Sequence, residues 1–114
     1  MVKSLMNNTQ LGALARTFSA LADQSRLLIL HTLRQNPCYV NELCEKTGLK
    51  QANVSKQLGI LKNAGLVDAQ RQGNLVHYTI CEPIIFEICE LVCNKLERDA
   101  RRRLEDFAPA KRGQ

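Results

Sequence analysis

Five cysteines and two histidines are the residues of this 114-residue chain best equipped for chemistry. Cys89 and Cys93 stand one helical turn apart in the apolar stretch "IIFEICELVCNKL" (84–96), Cys81 lies just upstream, and Cys38 and Cys44 fall earlier. Thiols at i and i+4 of a helix have Cβ atoms about 5–6 Å apart, whereas a disulfide needs about 3.5–4.5 Å. Cys89 and Cys93 therefore do not bridge each other without distorting the helix. They can approach one soft ion together, or either can bridge to Cys44 on a neighbouring helix. At about 100° per residue, Ile85, Ile88 and Val92 centre the apolar face and the two thiols flank it, where they are both held and reachable. The plain alternative is that each cysteine is a small buried hydrophobe. That reading is preferred for Cys81 and stays open for Cys38, while Cys44, Cys89 and Cys93 are read as sensing thiols. His31 and His77 have no ligand partners at useful spacing, and His77 reads as a packed or exposed strand residue. A thiol enzyme needs a general base beside its cysteine, and neither histidine is placed for that. An enzyme is not expected.

The odd cysteine count, with no CxxC, argues against a disulfide framework and for a reducing compartment. With 45% hydrophobic and 24% charged residues, the composition is that of one globular domain. No apolar run approaches the roughly 20 residues that span a membrane, and "MVKSLMNNTQ" has no apolar h-region, so a cytoplasmic protein is expected. The net charge of +5 suggests a polyanionic partner without identifying one.

A second group of residues fits such a partner. In "KQANVSKQLGILKNAGL" (50–66), Val54, Leu58 and Leu61 form one apolar stripe. Gln51, Asn53, Ser55, Lys56 and Gln57 are the polar side chains expected to meet base edges and phosphates. Arg71, Gln72 and Asn74 tip the hairpin that follows, where Gly73-Asn74 favours positive φ. An ordinary amphipathic surface helix would show the same stripe, but not the hairpin directly after it.

The elements that must position these groups follow from periodicity. "LGALARTFSALA" (11–22) reads as a first helix. A second follows, with Asp23 as N-cap, Leu27, Ile29, Leu30 and Leu33 inward, and Asn36-Pro37 as its stop. "YVNELCEKTGL" (39–49) carries a short third helix with Asn41 as cap and Gly48 just past its end. The long fourth helix ends at Gly65. "LVDAQR" (66–71) and "LVHYTI" (75–80) form the hairpin. Pro83 opens a last helix that runs past residue 104, where Arg98, Arg101, Arg102 and Arg103 alternate with Glu97, Asp99, Glu105 and Asp106 as a solvated end. The tail "APAKRGQ" is expected to fray. The fold class is mainly α with a two-stranded β-hairpin: a winged helix-turn-helix, α-α-α-α-β-β-α.

"ALADQSRLLILHTL", "VNELCEKTGLKQANVSKQLGILKNAGLV" and "RQGNLVHYTI" resemble, in order and spacing, the ArsR/SmtB family of small winged-helix repressors over about residues 13–96. The resemblance implies a homodimer that binds an imperfect inverted repeat of double-stranded DNA and releases it when an effector binds. Applied to residues 1–114 as one domain, it makes 8–22 and 83–106 dimerisation helices, 39–65 the helix-turn-helix, 66–80 the wing and 107–114 a frayed tail. It puts Gln51, Asn53, Ser55, Lys56 and Gln57 at DNA-reading positions and Arg71, Gly73 and Asn74 on the wing. Gln57 departs from the family, which often has His there.

The family's known effector sites are not carried over whole. Tyr39 and Asn41 occupy two positions where the arsenic-sensing branch has thiols, and only Cys44 remains. Glu82, Pro83, Ile84 and Lys95 stand where the zinc-sensing branch has its ligands. Cys44 matches the third-helix thiol of the reactive-sulfur branch, but the partner position is Glu97, one turn past Cys93. The trigger expected here is an oxidant or reactive sulfur species at Cys44 with Cys93 or Cys89. The alternative is arsenite or another thiophilic metal ion held by Cys44, Cys89 and Cys93.

Overall fold

In a computed structural model, which describes residues 5–107, the chain forms two compact units, divided between Glu82 and Pro83. In the first, α1 (Asn8–Leu21) opens on a capping box: Asn7 Oδ1 accepts from Gln10 N at 2.8 Å, and Gln10 Oε1 accepts from Asn7 N at 2.9 Å. Asp23 caps α2 (Gln24–Gln35) as expected, its carboxylate accepting from Arg26 N at 3.0 Å. The helix stops at Asn36, ahead of Pro37.

Residues Cys38–Tyr39 form a short strand, β1, that the apolar pattern does not reveal. It pairs antiparallel with β3 (Leu75–Ile80), Tyr39 opposite His77, and β3 pairs with β2 (Val67–Gln72). The hairpin therefore belongs to a three-stranded sheet of order β1-β3-β2. The chain turns from β1 straight into α3 (Val40–Thr47). This moves the cap of α3 from Asn41 to Tyr39. Strand pairing holds Tyr39 extended, and Glu42, at the third helical position, reaches back to accept from Tyr39 N at 2.8 Å. Asn41 thus lies inside the first turn. Gly48 ends α3 in the left-handed region, φ 76°, as anticipated for a residue without a Cβ.

The fourth helix, α4 (Gln51–Asn63), buries Val54, Leu58 and Leu61 completely. They join Ile29, Leu30 and Leu33 of α2 and Leu43 of α3 in the core of this unit. Cys38 is fully buried with them, which resolves its reading in favour of a packed small side chain. At the hairpin turn only Gly73 has positive φ, 67°, and Asn74 does not, the pattern of a type II′ turn.

The second unit contains α5 (Ile84–Asp106), one residue later than expected because Pro83 sits at the cap and not inside the first turn. Ile85 and Phe86 are buried, while Leu91, Val92, Leu96 and Leu104 are exposed. Lys95 with Asp99 and Glu97 with Arg101 make the expected i, i+4 pairs of a solvated helix end. The tail from 108 onward lies outside the described residues.

Candidate nucleic-acid interface

Burial of the Val54–Leu58–Leu61 stripe dictates what α4 shows to solvent. Gln51, Ser55 and Lys56 lie on the exposed side, together with Lys50 at the helix start and Lys62 near its end; Asn53 is half-buried. Gln57 departs from its expected place among the exposed readers. It is 6% exposed, with both ends of its amide engaged: Oε1 accepts from Arg26 Nη1 at 2.8 Å and Nε2 donates to Asn53 Oδ1 at 2.9 Å. The helix period explains why. At about 100° per residue, position 57 lies about 60° from Val54, on the edge of the buried stripe. Counting angles instead of polarity would have found it.

The wing meets the start of α4 across a cleft of about 320 Å³, lined by Tyr39, Asn41, Gln51, Asn74 and Val76 among others. Arg71, Gln72, Gly73 and Asn74 are all exposed at the hairpin tip. Tyr39 ties this tip to the helix-turn-helix. Its hydroxyl donates to Gln72 Oε1 at 2.5 Å, and its ring stacks at a tilt on His77, centroids 4.7 Å apart. His77 is accordingly a packed, half-buried strand residue. Neither Tyr39 nor Arg26 was signalled by the sequence, since Gln72 and Gln57, which join them to the wing and to α4, are more than 30 residues away.

The five cysteines are thiols. Cys44 and Cys89 are half-buried, and Cys93 and Cys81 are exposed. Cys81 Sγ lies 3.1 Å from the Gly65 carbonyl. Burial raises its pKa, and the charges of Asp68 and Glu82 push in the same direction. Among the described residues no three His, Cys, Asp or Glu side chains gather as a metal site. No described helix is long and apolar enough to cross a membrane.

A short helix, a glycine-ended turn, a helix with an exposed polar and cationic face, and a hairpin beside that face together define a winged helix-turn-helix, a DNA-binding class. Residues 23–69 match the model of the bacterial regulatory protein arsR family. The transcriptional regulator NmtR of Mycobacterium tuberculosis is 40% identical over 76 residues, which are 67% of this chain and 63% of that protein. Two solved structures are similar over most of the chain. The antimony-specific transcriptional repressor AntR is 31% identical, with a TM-score of 0.75, covering 87% of this chain and 90% of that one. The Mb0332 domain of Mycobacterium bovis, described as a homodimeric winged helix-turn-helix DNA-binding domain, is 31% identical, with a TM-score of 0.70, over 85% of this chain and 90% of that one. The chain belongs to the ArsR family of transcriptional regulators.

Proposed function

We propose that the protein is a homodimeric repressor that binds an inverted-repeat operator and is released from it by thiol chemistry. The observation that carries the DNA-binding part is the shared cleft: Gln51 at the start of α4 and Asn74 at the wing tip line one concave surface. A helix end in the major groove and a wing on the adjoining backbone would meet one duplex together. Gln51, Asn53 and Ser55 are the base readers, and Lys56, Arg71, Gly73 and Asn74 the backbone contacts. Gln57 serves from behind, through Asn53. The whole of residues 1–114 acts as one cytoplasmic DNA-binding module without enzymatic activity, 8–22 and 83–106 supplying the dimer contacts.

Release is assigned to Cys44 with Cys93 or Cys89, because these thiols are half-buried or exposed, unlike Cys38. With peroxide, two thiols give one disulfide and the oxidant leaves as water, so the protein loses two hydrogens. Similarity to an antimony-specific repressor favours a second reading, in which Cys44, Cys89 and Cys93 hold arsenite or another thiophilic ion. Three thiolates are the donor set that soft ions select. A shift of about 1–3 kcal/mol in operator affinity suffices for induction.

The test is fluorescence anisotropy on the DNA immediately upstream of the gene, with reduced protein compared after tetrasulfide, after peroxide and with arsenite, each alongside intact-mass analysis. Affinity loss with a two-hydrogen mass loss or added sulfur, absent in Cys44→Ser, supports the thiol switch. Loss with arsenite alone supports the ion site. Affinity untouched by all three removes the thiols from the mechanism, and no binding to any duplex removes the repressor.

A further inference from the structure

The face that α4 shows to solvent is backed by a relay of hydrogen bonds whose direction is fixed at one end. Arg26 starts it, with a side chain only 13% exposed. A guanidinium carries donors and no acceptor, and stays charged at any accessible pH. Its Nε donates to the Ala20 carbonyl at 2.7 Å and its Nη2 to the Ser19 carbonyl at 3.1 Å, anchoring it to the end of α1. Its Nη1 donates to Gln57 Oε1 at 2.8 Å.

Everything beyond that bond follows from the donor-only character of Arg26. Gln57 has to turn its oxygen toward the guanidinium, so its NH2 points the other way, and that NH2 donates to Asn53 Oδ1 at 2.9 Å. The oxygen of Asn53 is thereby engaged, and its NH2 makes no hydrogen bond among the described residues. We infer that Arg26 and Gln57 are positioning residues that set the polarity with which Asn53 reads the operator: Asn53 offers a donor. The base it meets then needs acceptors on its major-groove edge. Guanine, with O6 and N7, is the best match, and cytosine, whose polar group there is the N4 donor, is the worst. This rests on the reading that Asn53 faces the operator.

The relay makes an unusual demand of a single substitution. In Gln57→Glu both side-chain oxygens accept. One keeps the bond from Arg26, and the other takes the Asn53 NH2 and turns the Asn53 oxygen outward. The preference at that base should reverse, from guanine toward adenine or cytosine, whose N6 and N4 donate. The added carboxylate weakens every duplex alike, so the quantity read is the ratio between bases, not the affinity. Arg26 itself is a poor target because its loss would also free the end of α1.

The experiment selects preferred duplexes from a randomised pool with the full-length protein, then measures single-base variants of the best duplex by anisotropy. Asn53→Ala identifies the position it reads by flattening the preference there. At that position the wild type should favour guanine over cytosine by about fivefold, one hydrogen bond's worth, and Gln57→Glu should invert the ratio while leaving other positions as they were. Gln57→Met, close to isosteric and without either hydrogen bond, should bring the ratio toward one, and it serves if the glutamate variant does not fold. A position flattened by Asn53→Ala but unmoved by both Gln57 variants overturns the relay, as does a wild-type preference for cytosine there. If Asn53→Ala flattens no position, the reading of Asn53 as a DNA contact fails, and the relay's role falls with it.

Discussion

The sulfur of Cys81 lies at the end of β3 in a setting that opposes its ionisation, first through burial and then through the Asp68 and Glu82 carboxylates. The thiolate is the reactive form, so Cys81 should alkylate more slowly than its exposed position alone would suggest. Replacing Asp68 by Asn removes one of the opposing charges. The pH–rate profile for iodoacetamide at Cys81, followed by peptide mass, should move to lower pH in Asp68→Asn; an unmoved profile would show that this carboxylate does not act on the sulfur. Gly48 makes a different kind of demand. Its φ of 76° lies in the left-handed region, and a Cβ built there meets nothing within 4 Å. The cost of Gly48→Ala is therefore backbone strain alone, about 1–2 kcal/mol, to be read as a lower urea midpoint with an unchanged slope. No loss of stability would mean that the turn between α3 and α4 relaxes to another conformation.

At the level of elements, α5 carries a pH dependence whose sign is fixed. The Lys95 ammonium bonds to Asp99 at 2.5 Å and, with help from Arg102 and Arg103, holds that carboxyl below its usual value. A carboxylate with a lowered pKa in the folded state contributes stability above its unfolded pKa and loses it as pH falls through the lowered value. Lys95→Ala should raise the Asp99 pKa toward that of a free carboxylate in an NMR titration, with little change in overall stability, because the pair is exposed. An Asp99 titration indifferent to Lys95 would mean the pair does not persist in solution. The sequence made much of this architecture legible. The stripe of α4, the Asp23 cap, the Gly48 stop and the solvated end of α5 are all local patterns, set by residues within a turn or two of one another. What was not legible depends on distant partners. β1 has two residues and exists because β3 pairs with it, and that pairing is also what shifts the α3 cap to Tyr39. The exposure of Gln51, Ser55 and Lys56 followed from the stripe, but the engagement of Gln57 required Arg26, 31 residues away in sequence.

For the whole molecule, the apolar surface left uncovered is the strongest constraint on how it works. On α1, Leu11, Leu14 and Phe18 fall at i, i+3 and i+7 and are each more than a third exposed. On α5, Leu91 and Leu104 are 70% and 73% exposed, and Val92 and Leu96 at least half. Apolar side chains left exposed in this number on each of the two helices suit an association site, and a second copy of the chain is the partner proposed for it. Leu96→Glu places a charge on the α5 face, in the unit that begins at Pro83, whereas α4 and the wing belong to the unit that ends at Glu82. Sedimentation velocity should then show a monomer at concentrations where the wild type is a dimer. Its affinity for a full inverted repeat should fall by about 10²–10⁴-fold, the gain that tethering two half-site contacts supplies. Its affinity for a single half-site should not change, because no group lining the cleft between α4 and the wing has been altered. The two duplexes measured side by side separate the possibilities: equal losses on both would mean that the substitution has damaged the reading surface, while a variant that stays dimeric would place the subunit contact elsewhere.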